Sequence, residues 1–308
     1  MNSESLAWLI RRHGIEMTKV SGGSHIASVL SVADIIAVLY SDILKIDPSV
    51  PDWEERDRFI LSKGHAGAAL YAALAEKGFF DKSELLTHYQ NGSRLSGHVS
   101  HFLPGVDFST GSLGHGISVA VGMAIGAKLN KADHRVFTVL GDGECNEGSV
   151  WEAAQTAAHF KLDNLVAIVD NNKMQSLDFC DNTLNSGLIY DKWRSFGWNT
   201  IVCNGHDHSA LRNAISSTIK NKPTVIIAET VKGKGVSFME MDVLWHYRFP
   251  HEGDEYVNAV NELLSSKPNN TVDPYTPYGI SDSAAPIVKC SAHTMSETYH
   301  PTWFDTEA

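Results

Sequence analysis

Cysteine is scarce in this chain and scattered. Cys145, Cys180, Cys203 and Cys290 stand far apart with no C-x-x-C pair, which argues against a disulfide framework and a structural zinc site. Positive charge is also short: 25 Lys and Arg face 36 Asp and Glu over 308 residues, a formal charge of −11, and there is no basic run. A chain this acidic repels phosphate backbones and anionic membranes, so neither nucleic acid nor a membrane is expected as a partner. Long hydrophobic runs are missing too. The longest weakly polar stretch, roughly Gly116 to Ala127, reads as too short and too Gly-rich to span a bilayer. The N-terminal MNSESLAWLIRRHG carries its arginines after a short apolar patch, so it reads as an amphipathic helix and not a signal peptide. What is present is 43% apolar and 20% charged. That is enough for a sizeable core and fits a cytoplasmic α/β protein of one large or two small domains.

From about Leu6 to Leu264 helical and strand-like segments alternate. Ser31 to Leu44 puts Val32, Ile35, Ile36, Leu39 and Ile43 on one helical face. His65 to Lys77 is Ala-rich and helical, with Gly78 suited to end it. Gly116 to Leu129 is a helix rich in small residues, which predicts another backbone packed close against it. Four short apolar runs follow, Val136–Leu140, Leu165–Val169, Thr200–Cys203 and Val225–Ala228. Helical segments near Ser149–Phe160, Tyr190–Phe196 and Ser209–Lys220 separate them. Short apolar strands alternating with helices predict an α/β fold, a parallel sheet with helices on both faces. The composition changes near Ser265: five of the ten prolines (Pro268, Pro274, Pro277, Pro286, Pro301) lie in the last 41 residues. The expected division is therefore a domain over 1–264 and an irregular, Pro-containing extension or docking arm over 265–308.

The run Val136 to Gly143 is a strand ending in Gly-Asp-Gly, and thirty residues after Asp142 the next strand has ended in Asp170-Asn171-Asn172. In a right-handed βαβ unit both carboxyl ends face one sheet edge. Adjacent parallel strands lie about 4.8 Å apart, so Asp142 and Asn172 can reach one ion. A carboxylate, an amide and a backbone carbonyl just beyond suit hard Mg²⁺, which completes its shell with phosphate and water oxygens. The glycines let the chain approach a diphosphate, at the edge where open α/β sheets bind ligands. A lone Gly-Asp-Gly is equally an ordinary capped turn; the second strand at matching spacing favours the metal.

The longer string decides between them. Gly141-Asp-Gly-Glu-Cys-Asn-Glu-Gly-Ser-Val-Trp-Glu-Ala153, then Lys161-Leu-Asp-Asn-Leu and Asp170-Asn-Asn-Lys, resembles the thiamine diphosphate domain of transketolases. It is most similar to the N-terminal subunit of split transketolases, over about Ser21 to Leu264. The resemblance implies the thiamine diphosphate-binding fold. Asp142, Asn172 and the Met174 carbonyl would hold Mg²⁺, or Ca²⁺ or Mn²⁺ in its place. Gly143 would contact the diphosphate, and Gly111, Ser112 and Leu113 would line the cofactor. Glu147 matches an acidic residue held near the subunit interface in a proton network linking cofactors; by itself it is a Glu favoured by a helix dipole.

Fifteen histidines is a high count, and a single one is more often structural than catalytic. His25, His65, His98 and His246 each fall in a turn or at a helix start, where function collects, and imidazole suits proton exchange with sugar hydroxyls near neutral pH. The resemblance assigns His65 and His246 to the cofactor diphosphate and the substrate, and His25 and His98 to the donor's hydroxyls or carbonyl. His206 and His208 look like a metal pair but read better as residues at a helix start capped by Asp207 or Ser209. Lys232-Gly-Lys-Gly235 lacks P-loop spacing and is expected to be a flexible loop leading to His246. Two departures from the family stand out: His115 where Gln is usual, and Tyr247-Arg248 where small residues are commoner. Both are expected to alter the substrate channel.

In this family the Glu that activates the cofactor sits on a separate pyrimidine-binding domain. The 44 residues after Leu264 are too few to form one. The resemblance therefore implies a second chain carrying the pyrimidine and C-terminal domains in an α₂β₂ assembly. The implied reaction moves a two-carbon ketol unit from a ketose, phosphorylated or not, to an aldose. Two alternatives remain open: a thiamine diphosphate enzyme acting on a 2-oxo acid or a specialised substrate, and a non-catalytic cofactor-binding scaffold or regulatory homologue.

Overall fold

A computed structural model describes residues 1–185 and 187–275. Helix α1 (Ser3–Ser21) starts at Asn2, whose side chain accepts from Ser5 N, and stops at Gly22 in the left-handed region, φ 64°. Helix α2 (Ile26–Val38) continues through a π turn over Leu39–Ile43. It begins five residues before the expected Ser31, with His25 as its N-cap. Strand β1 (Arg58–Leu61) and helix α3 (Gly67–Lys77) follow, the latter ending at Gly78 with φ 91° as anticipated. Next come α4 (His115–Leu129), β2 (Val136–Gly141), α5 (Gly148–His159) and β3 (Leu165–Asn171). The order ends with α6 (Cys180–Leu184), α7 (Ile189–Ser195), β4 (Asn199–Asn204), α8 (His208–Ser216), β5 (Thr224–Glu229) and α9 (Asp254–Ser265).

All five strands are parallel, in the order β1-β2-β3-β5-β4. Alternate residues of the central strands feed two cores, as a period of two requires. Phe137, Val139, Val166, Ile168 and Ile226 pack with α1, α2 and α3. Val136, Leu140, Leu165, Val169 and Ile227 pack with α4, α5 and Trp193 of α7. The four expected strands are present. β1 is an addition, since four residues at a sheet edge carry too little periodicity to announce themselves. β4, at the other edge, is half-exposed and not fully apolar in its setting.

Among the described residues the longest apolar helix is Ile26–Ile43, not the stretch expected at Gly116–Ala127. It is long and apolar enough in composition to cross a membrane, but 83% of it is buried inside this fold, between α1, α3 and the sheet. Close packing on α4 is confirmed at one position: a Cβ on Gly116 would lie 2.7 Å from Ser62 Cα, whereas Gly122 and Gly126 face open space. The compact unit runs from Met1 to Val272, α9 ends at Ser265, and most of the extension expected over 265–308 lies outside the described residues.

Candidate active site

The carboxyl ends of β2 and β3 are paired through Gly141 and Asp170, and a cavity of about 350 Å³ opens beyond them. It is lined by all three expected metal residues, Asp142, Asn172 and Met174, with Gly143, and by His25, His65, His98 and His246. Gly111 and Leu113 join them. Ser112 is exposed and does not line the cavity, and Glu147 lies at the exposed start of α5, outside it.

Each residue arrives by a separate local device. His25 adopts φ 73°, a conformation uncommon for a residue with a side chain, and its N–H donates to His246 O at 3.0 Å. That bond joins the first histidine of the four to the last. Ring centroids of His25 lie 5.1 Å from His65, 5.1 Å from His246 and 5.9 Å from His98. The loop carrying Gly111–Leu113 is seated by Gly64, where a Cβ would meet the Thr110 backbone at 2.6 Å. It is clamped by Glu144, which accepts from Gly114 N at 2.9 Å, Gly141 N at 3.0 Å and Ser62 Oγ at 2.5 Å. Glu144 is thus a second buried carboxylate beside the cavity, with Asp142.

Beneath the cavity Asp170 ties four segments together. Its carboxylate accepts from Lys63 Nζ at 2.5 Å, from Ser31 Oγ at 2.7 and 2.8 Å, and from Thr230 Oγ1. Asn172 Nδ2 donates to Ser31 Oγ at 3.0 Å, and its Oδ1 accepts from Met174 N at 3.1 Å, so the amide oxygen points to the Met174 turn. Burial, the largest single influence, opposes ionisation of Asp170, but the Lys63 charge and the hydrogen bonds from Lys63, Thr230 and Ser31 together outweigh it, and the carboxyl sits below its usual range. Asp142 is pushed the other way, by burial and then by the Asp170 charge. Two backbone groups do support it: Gly143 N at 2.8 Å and Lys173 N at 2.5 Å.

The donor set fits a hard cation. Asp142 brings a buried carboxylate, and no Lys or Arg side chain is bonded to it among the described residues; Asn172 brings a neutral amide oxygen, and both face one cavity. No group of three His, Cys, Asp or Glu that could hold a metal occurs among the described residues, which leaves this mixed oxygen set as the candidate. The cradle also suits a polyanion. Lys63 and Lys232 are buried and line the same cavity, and a Cβ on Gly143 would meet Gln175 Cβ at 2.7 Å.

The two lysines were not foreseen. Lys232 stands in the segment expected to be a flexible loop, yet Gly233 N donates to Ala27 O at 3.1 Å and Met241 N to Lys232 O at 2.9 Å. Its Nζ reaches His246 Nδ1 at 3.2 Å. Burial, then the Lys63 charge, lowers the Lys232 ammonium to about 8. Burial and neighbouring cations also keep the histidines neutral: His25 falls to about 4, His246 to about 2 and His65 well below its usual value. With Nδ1 accepting from Lys232, His246 carries its proton on Nε2.

His206 and His208 hold no metal position. Asp207 caps α8 through Ser209 N and Ala210 N, as expected, and both rings instead grip Asp34 of α2, at 2.6 and 3.0 Å. His206 Nε2 accepts from Val231 N at 2.8 Å, which pins the residue before Lys232. Of the two family departures, His115 is exposed and outside the cavity, its ring turned to the carbonyls of Ser112 and Leu113. Tyr247 does line the cavity, 5.5 Å from the His25 ring.

Known proteins resemble this chain over most of its length. The family model described as "Transketolase, thiamine diphosphate binding domain" matches residues 3–272. One subunit of the apulose-4-phosphate transketolase of Phocaeicola vulgatus is 40% identical over 255 residues, 82% of this chain and 90% of that one. "6-deoxy-6-sulfo-D-fructose transketolase subunit SqwG" of a Clostridium species is 41% identical over 241 residues, 77% of this chain and 88% of that one. The solved transketolase of Leishmania mexicana superposes with a TM-score of 0.80 at 29% identity over 92% of this chain. This chain spans 43% of the length of that solved protein.

Proposed function

The chain belongs to the transketolase family through its thiamine diphosphate binding domain, and from that premise we propose that it is the diphosphate-binding subunit of a two-chain transketolase. It would transfer a two-carbon ketol unit from a ketose, phosphorylated or not, to an aldose. One observation carries the reading: Asp142, Asn172, Lys63, Lys232 and four histidines drawn from across the chain converge on one cavity. A scaffold has no use for that convergence. Relatives of matching length are named as single subunits of transketolases, which supports a partner chain that brings the pyrimidine and C-terminal domains. An α₂β₂ assembly is part of the proposal.

Asp142, Asn172 and the Met174 carbonyl would hold the divalent metal, and Lys63 and Lys232 would face the diphosphate. Thiamine diphosphate, when bound, supplies a nucleophilic carbon and a sink for the electrons of the broken C–C bond. This chain's own work is to bind, orient and move protons. His246 offers Nε2–H as a donor, fixed in that tautomer by Lys232. His25 and His98 face the cavity where a ketose would lie, and imidazole suits proton exchange with its hydroxyls. Tyr247 closes one side.

The test is reconstitution. This chain alone, with thiamine diphosphate and Mg²⁺, is expected to show no ketol transfer, and addition of the partner chain should restore it. Full activity of the chain alone would overturn the two-chain reading; inactivity of the reconstituted complex on all ketose donors would overturn ketol transfer.

Lys232 gives the reading a pH signature. Its charge favours the diphosphate and is lost as pH rises through about 8. Cofactor affinity is therefore expected to fall above that pH, and binding near it should take up protons, measurable by calorimetry in buffers of different ionisation enthalpy. Lys232→Met should flatten that limb.

A further inference from the structure

Beside the cofactor cavity lies a second, much smaller one of about 30 Å³, lined among others by His25, His88, His98, Tyr89 and Gly97. Two ring nitrogens at this place are buried and lack a hydrogen-bond partner: His25 Nδ1 and His88 Nε2. His88 is 4% exposed. Buried polar atoms are rarely left so, because each costs free energy comparable to a lost hydrogen bond. A void of this size and polarity is large enough for one water molecule, which needs roughly 10–15 Å³ and two or more polar partners.

The partners on the far side of His88 fix its proton. Ser21 Oγ donates to Met17 O at 2.7 Å, so its oxygen accepts from His88 Nδ1, 3.3 Å away. Nδ1 therefore carries the hydrogen and Nε2 presents a lone pair. Burial keeps both rings neutral, each lowered to about 4. A lone pair on His88 Nε2 requires a donor, and no donor is in reach among the described residues.

We propose that this cavity holds one ordered water, which donates to His88 Nε2 and to His25 Nδ1, so that His88 is a positioning residue that selects the tautomer of His25. With Nδ1 accepting, His25 carries its proton on Nε2. The ring that lines both cavities then serves the ketose as a hydrogen-bond donor. His246 is set in the same tautomer by Lys232, so the two rings, 5.1 Å apart, form a matched pair of donors, one fixed by a lysine and one by a water. The inference rests on the functional reading above for what His25 serves; the water and the tautomer stand apart from it.

The experiment has two arms. A high-resolution crystal structure of the assembled enzyme is expected to show solvent density within hydrogen-bond reach of both nitrogens, and ¹⁵N shifts of His25 should report protonation at Nε2. His88→Phe should remove the water and lower kcat about tenfold, since a proton donor whose tautomer is fixed through one water loses that fixing with it. The donor KM and the cofactor Kd should change less than about twofold, where a merely structural role would move them as well. His88→Gln, which keeps an acceptor near the same place, should recover most of kcat. Absence of density between the nitrogens where neighbouring waters are ordered, or wild-type kcat in His88→Phe, would overturn the proposal. Lack of ketol transfer by the wild-type assembly would sink the functional reading alone, because density and ¹⁵N shifts are read without turnover.

Discussion

Asp142→Ala is expected to abolish metal-dependent cofactor retention and, with it, ketol transfer by the assembled enzyme. Asp142 is the only carboxylate in the oxygen set it forms with Asn172 and the Met174 carbonyl at the cavity, and hard cations are held chiefly by carboxylates. Thiamine diphosphate affinity in Mg²⁺ should fall by at least about a hundredfold, about 2.7 kcal/mol, measured by titration of intrinsic fluorescence. The fold should survive. Removing the carboxylate relieves the burial and the Asp170 repulsion that push its protonation up, while two backbone donors, Gly143 N and Lys173 N, lose their acceptor. These effects oppose each other, and the metal-free variant should melt within about 5 °C of the parent. Wild-type cofactor affinity in Asp142→Ala would remove the metal site from this position.

Lys63→Met is expected to give the largest loss of stability. The Lys63–Asp170 pair is almost wholly buried, its side chains 1% and 0% exposed. Breaking such a pair by removing one partner costs about 3–5 kcal/mol, because the other charge stays buried without compensation. Ser31 and Thr230 would still bond Asp170, which keeps the loss finite. Lys63→Met combined with Asp170→Asn should recover part of it, since no net charge is then left in the core; urea denaturation of the single and double variants checks this. The pH dependence follows from the lowered Asp170 carboxyl. Its contribution is complete above the unfolded carboxylate range and is lost as pH falls through the lower, folded value. The parent should therefore resist acid, and in Lys63→Met, where the cation is gone and burial prevails, stability should already decline towards higher pH.

The Asp142–Asn172 pair was legible in advance for a geometric reason. Two strands joined by one crossover helix become sheet neighbours, and sheet spacing brings their ends within reach of one ion, so local strings thirty residues apart carried the site. The four histidines were legible as motif residues, though their convergence was not. That His25 bonds His246 across 221 residues is a property of the folded chain alone. Glu144 illustrates the opposite case: nothing in the string singles it out, yet the 3-10 turn over Gly143–Asn146 leaves it buried beside the cavity and bonded to Gly114 N, while Glu147, three residues later, stays exposed, as an interface residue would.

The class of fold, four of the five strands in chain order, and Asp142, Asn172, Met174 and Gly143 as candidate residues were written in the chain's local pattern, because they rest on periodicity and on the strings at strand ends. Which polar side chains go inside was settled by folding. A lysine in a sequence reads as surface, and nothing local distinguishes Lys63, whose partner stands 107 residues away, or Lys232, from the other lysines. His88 likewise becomes significant only where Ser21 takes one nitrogen, the other has no partner, and the residue lines a small cavity. Burial sets the cost of an unpaired polar atom, and burial is decided by contacts between segments distant in the chain.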